Sequence, residues 1–145
     1  MRVSTQFPIA VHALLMIAYF NDVRVTSDMV SASAGCNAVI VRNIFTKLKK
    51  AGILSVKTGK GGTSLARPDT DISLWDIYTA VETDETEEIF KFHTNISGVC
   101  PVGGNVKELL LGHFEHAVGA MKAELSKVTL SVLKKELVEF PNESP

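Results

Sequence analysis

Residues 37–67, NAVIVRNIFTKLKKAGILSVKTGKGGTSLAR, change their apolar period once, and that change decides the fold. Up to Gly52, Val41, Ile44, Phe45 and Leu48 recur at helical spacing, and Lys47, Lys49 and Lys50 fall in the last turns, where cations suit the helix dipole. Beyond Gly52 the spacing predicts strand, turn, strand. Ile53, Leu54 and Val56 stand on one side and Leu65 on the other of a glycine cluster able to take positive φ without steric cost. Three glycines ringed by Lys57, Lys60 and Arg67 also suggest a phosphate loop, but the spacing fails. A P-loop needs G-x-x-x-x-G-K-[ST], whereas Gly59-Lys60 is followed by Gly61 and preceded five positions earlier by Leu54. The dinucleotide pattern G-x-G-x-x-G would need a glycine where Ser64 stands.

Upstream, Thr26 reads as an N-cap with Asp28 in the first turn of a short helix, SDMVSASAG, which Gly35 ends. Asn37 restarts helix almost at once. Two helices joined by a short glycine-containing turn form a helix-turn-helix, and the basic hairpin after it makes the unit winged. The glycines let the hairpin tip approach a DNA backbone, and Lys57 and Lys60 are placed to neutralise phosphates or reach the minor groove. Before this unit, Ser4 or Thr5 caps a helix with Pro8 in its first turn that runs to about Phe20 as a nearly all-apolar, buried rod. His12 within it reads as a satisfied core residue rather than a ligand.

Length and charge agree with that reading. A chain of 145 residues, 46% apolar, suffices for one ordinary core or a small domain with an extension. Ile9–Phe20, the longest apolar stretch, is too short to span a bilayer and lacks the flanks of a signal peptide. With only Cys36 and Cys100, a disulfide framework has little support, and a cytoplasmic protein is expected. The net charge of −1 conceals an asymmetry. Residues 1–68 hold nine Lys and Arg against two Asp, giving +7, while residues 69–145 hold six Lys against fourteen acids, giving −8. Cations gathered at one end make an electrostatic footprint for phosphates. The expected organisation is therefore a winged helix-turn-helix DNA-binding domain over 1–68, with a linker helix and a long dimerisation helix over 69–145. The fold class is mainly α with a small β-hairpin.

The C-terminal part speaks to assembly. From Val106, the apolar positions Leu110, Phe114, Val118, Met121, Leu125, Val128 and Val132 keep close to the 3.5-residue coiled-coil period, so one long helix is expected with a seam that needs a partner. A homodimer sets two recognition helices on one face of double-stranded DNA, roughly 34 Å apart.

The ordered motifs LKKAGIL, GKGG, LAR, DISLWDIYTAVE and CPVG, the last ahead of a long helix, resemble the Rrf2 family of bacterial winged-helix repressors over nearly the whole chain. The resemblance implies that Asn37, Val39, Ile40, Arg42 and Asn43 form the recognition surface and that Lys57 and Lys60 serve from the wing. Arg42 suits bidentate reading of guanine and Asn37 or Asn43 that of adenine, while Val39 and Ile40 either touch thymine methyls or belong to the core. Asn37 reads equally well as a cap and nothing more.

Iron–sulfur members of that family resemble one another in carrying three closely spaced cysteines before the long helix, and this chain has Cys100 alone there. Neither a cluster nor another cofactor is expected. His113 and His116 share a helix face but do not close a metal site, and they read as solvated. Cys100, next to Pro101 at the start of a helix, is the candidate sensing thiol, against the alternative that both cysteines are small buried hydrophobes. Enzyme motifs are missing: there is no G-x-S-x-G, no H-E-x-x-H and no C-x-x-C. The sequence thus points to a non-enzymatic, homodimeric DNA-binding repressor on a palindromic operator, with thiol response as a further expectation. A small thiol-dependent redox protein and a protein-binding winged helix are the alternatives.

Overall fold

The computed structural model describes residues 4–57, 62–82 and 92–141. Ahead of α1 (Gln6–Tyr19), Ser4 Oγ accepts from the Gln6 amide and donates to Glu82 Oε1, while the N-cap Thr5 makes no side-chain cap bond. The helix buries Ala10, Ala13, Leu14, Ile17 and Ala18, a single stripe. Val11, His12, Leu15 and Met16 are only half-buried, so the rod expected to be enclosed on all sides is enclosed on one. His12 is likewise outside the core. Its Nε2 lies 2.8 Å from Ser33 Oγ of the following helix, near solvent.

α2 (Ser27–Ala34) and α3 (Ala38–Lys50) are bounded by local chemistry. Thr26 Oγ1 accepts from the Met29 amide at 3.2 Å, and Gly35, at φ 68°, takes the left-handed conformation that ends α2. Asn37 Oδ1 accepts from the Val39 amide at 2.8 Å and opens α3. The antiparallel hairpin follows, β1 (Leu54–Lys57) and β2 (Gly62–Leu65), with Leu54 opposite Leu65 and Lys57 opposite Gly62. Its tip, residues 58–61, lies outside the described residues and Lys60 with it.

After a 3₁₀ turn at Asp69–Asp71, α4 (Leu74–Glu82) opens on a reciprocal cap. The Ser73 amide donates to Asp76 Oδ2 at 3.0 Å and the Asp76 amide to Ser73 Oγ at 3.1 Å. Arg67 lies 3.4 Å from the same carboxylate, so this cation, grouped with the wing by sequence, pairs instead at the start of α4.

The expected single C-terminal helix is two: α5 (Val106–Lys127) and α6 (Leu130–Glu139). Between them Val128 is extended, because its carbonyl accepts from the Leu74 amide at 2.8 Å while the Leu130 amide donates to the Ile72 carbonyl at 2.8 Å. Ser73 and Thr129 thereby form an antiparallel bridge, and Thr129 caps α6 through the Val132 amide. Two backbone bonds worth about 0.5–1.5 kcal/mol each, plus burial of Leu130 worth about 1.5–3 kcal/mol, stabilise the break. The seam consequently ends at Leu125, with Val128 in the junction and Val132 on α6.

One cluster unites the chain. Leu14, Val30, Val41, Ile44, Leu48, Ile53 and Leu54 pack with Ile72, Ile77, Val81 and Leu130, so α4 and α6 close the same core that the helix-turn-helix opens.

Candidate nucleic-acid interface

At about 100° per residue, the buried Val41, Ile44, Phe45 and Leu48 define the inner face of α3 and leave Val39 and Asn43 opposite. Val39 is 51% exposed and Ile40 41%, so neither aliphatic is core. Ile40 shares a flank with Lys47, whose Nζ donates to Gln6 Oε1 at 2.8 Å and to the Val81 carbonyl at 3.3 Å, turned toward α1 and α4. Arg42 and Lys49, seven residues apart, occupy the other flank, toward the hairpin. The carboxamide oxygen of Asn37 is committed to the cap, which leaves its Nδ2 group as donor.

That hairpin-side flank borders a cleft of about 380 Å³ between α3, the start of α2 and the hairpin. Arg24, Arg42, Lys49 and Lys57 line it, with Ser27, Thr46 and Thr63 among them. The hairpin is tied to the loop before α2 by Thr63 Oγ1, which donates to the Val25 carbonyl at 2.7 Å. Arg42 and Lys57 are residues the sequence nominates, whereas Arg24 and Lys49 are not. Both counted toward the +7 of the first half, yet no local pattern joins Arg24 to a hairpin that begins thirty residues later. The signal available for Lys49 was its i+7 spacing from Arg42.

Cys36 is half-buried and packed against the core, with its carbonyl accepting from Ser31 Oγ. Cys100 is exposed. Its thiol is pulled below the ordinary cysteine range by the backbone amides of Gly103 and then Val102. The expected helix start is not the cause, because α5 begins only at Val106. Cys100 sits in the preceding turn, where the Gly104 amide donates to the Cys100 carbonyl at 2.8 Å. His113 and His116 are exposed on α5, and among the described residues no three His, Cys, Asp or Glu side chains gather as a metal-ligand set. No described helix is long and apolar enough to cross a membrane.

The comparisons agree with this architecture. The family model Rrf2, described as an iron-dependent transcriptional regulator, matches residues 3–136. YwnA of Bacillus subtilis strain 168, named as an HTH-type transcriptional regulator, is 35% identical over 128 residues, 88% of this chain and 93% of its own. A solved structure from Lactobacillus plantarum, described as a transcriptional regulator, is 28% identical with a TM-score of 0.75, covering 92% of this chain and 90% of that one. The structure of T. potens IscR, 20% identical, shares the fold at a TM-score of 0.71 over 99% of this chain and 94% of its own. With an exposed recognition helix, a basic hairpin and a family match spanning nearly all its length, the chain belongs to the Rrf2 family of DNA-binding transcriptional regulators, which are not enzymes.

Proposed function

We propose that the protein is a cytoplasmic, homodimeric repressor that binds a palindromic operator through α3 and the hairpin. The observation that carries this is the convergence of Arg42 and Lys57 on one cleft beside the outward Val39 and Asn43. Base reading falls to Arg42, Asn43 and the free end of Asn37, with Val39 and Ile40 against thymine methyls, and phosphate contact to Lys57 and Lys60. Selection from random DNA with the purified protein is expected to return a palindrome. Lys57→Ala should weaken binding alike on all sequences and reduce the slope of log affinity against log salt by roughly 0.9. An unchanged slope would remove the wing from the interface.

Support for the dimer comes from α5. Val106, Leu110, Phe114, Val118, Met121 and Leu125 are half-buried, every other residue of the helix is exposed, and none is fully buried. A helix held so lightly by its own chain gains from packing its seam on a second copy.

The family description names iron, and the donor set does not fit it. The chain has two cysteines, one in the helix-turn-helix against the core and one on the exposed turn before α5, where an iron–sulfur cluster needs several thiolates together. Signal reception is therefore assigned to the Cys100 thiol itself. Because turn amides favour its thiolate, alkylation of Cys100 by iodoacetamide should persist at lower pH than that of a free cysteine. Operator affinity should respond to peroxide in the wild type and not in Cys100→Ser. Equal responses would exclude Cys100.

A further inference from the structure

We propose that the cleft between α2, α3 and the hairpin is a seat for one phosphodiester of the DNA backbone, held by Arg24 and Lys49. This rests on the DNA-binding reading above. Among the described residues lining the cleft there are four cations and no carboxylate. An anion entering the cleft would be attracted by all four. The hydroxyl of Ser27 stands beside the cations as a donor suited to a phosphate oxygen, while that of Thr46 donates to the Arg42 carbonyl at 3.0 Å.

The position of Arg24 is built rather than incidental. Gly62, at φ 65°, lies directly under its aliphatic stem. A Cβ at Gly62 would collide with Arg24 Cγ and come within 3.3 Å of Cδ and Nε. On either side of this contact the chain is anchored: Val25 is buried, and Thr63 bonds to the Val25 carbonyl. The glycine that opens β2 thus serves two ends. It takes a conformation that L side chains rarely adopt, and it leaves room for the stem of Arg24, whose side chain lines the cleft together with Lys49. A phosphate seated there would lie between the recognition helix and the wing and fix the register of both, without itself carrying sequence information.

Arg24→Gln and Lys49→Gln, both at exposed positions, test the seat on operator and random DNA. Each should lower affinity equally on the two and reduce the salt slope, and the two together should reduce it by roughly 0.9. Scanning the operator with single methylphosphonates, which remove one backbone charge at a time, should reveal one position per half-site that penalises the wild type more than Arg24→Gln. A wild-type slope in Arg24→Gln, with Lys57→Ala still reduced, would leave the DNA-binding function standing and overturn the seat. Inorganic phosphate exchanged for chloride at constant ionic strength separates the sources. It should not compete with DNA. Competition abolished by Arg24→Gln, with a flat methylphosphonate scan, would mark a soluble-anion site and overturn the DNA assignment. A wild type that binds no DNA at all would overturn both readings.

Discussion

Leu130→Ala is expected to lower the stability of the whole chain by about 2–5 kcal/mol, the cost of an unrelaxed cavity where a leucine was fully enclosed. Leu130 is the first residue of α6 and has no solvent exposure. It packs in the same cluster as Leu14 of α1 and Leu48 of α3, so the loss should reach elements more than eighty residues away. Urea unfolding followed by Trp75 fluorescence and by far-ultraviolet circular dichroism checks it. Coincident transitions, both moved to lower urea, would mean that the C-terminal helices and the DNA-binding half unfold as one cooperative unit. A Trp75 transition that moves while most of the helical signal keeps its midpoint would instead make residues 1–68 autonomous.

Leu125→Glu is expected to convert the proposed dimer to monomers at micromolar concentration, because symmetry places two carboxylates in the seam and burial without partners costs several kcal/mol. The half-buried position of Leu125 on α5 leaves the core cluster untouched, so the winged unit should remain folded. Sedimentation velocity reads the assembly. Operator affinity should fall by about 10²–10⁴-fold, since each half-site then binds without the effective concentration its twin supplies. A wild type already monomeric under these conditions would make the seam an intramolecular surface, and the argument for a palindrome would go with it.

The recognition surface is largely legible in the amino-acid sequence. Thr26, Gly35 and Asn37 mark helix ends because capping is a contract among residues two to five apart, and the hairpin follows from β-formers around glycines that tolerate positive φ. The face of α3 follows from its period alone, since four apolar positions fix which way the rest must point. The flanks of that face depend on tertiary packing. Arg42 lines the hairpin cleft while Lys47 reaches back to Gln6 and Val81, a difference made by neighbours forty-one and thirty-four residues from Lys47 in sequence.

The same limit explains the other corrections. The seam pattern runs through Val128 without interruption in sequence, and only the pairing of residues 72–74 with 128–130 breaks the helix there. Arg67, near the wing in sequence, turns to Asp76, and Arg24, remote from the wing, packs on Gly62. Sequence by itself determined the elements, their caps and the charge carried by each half, because those depend on residues within a few positions of one another. Tertiary structure decided which cations share a cleft and where the last helix breaks, because backbone pairing and close packing between distant segments supply free energy that no local period records.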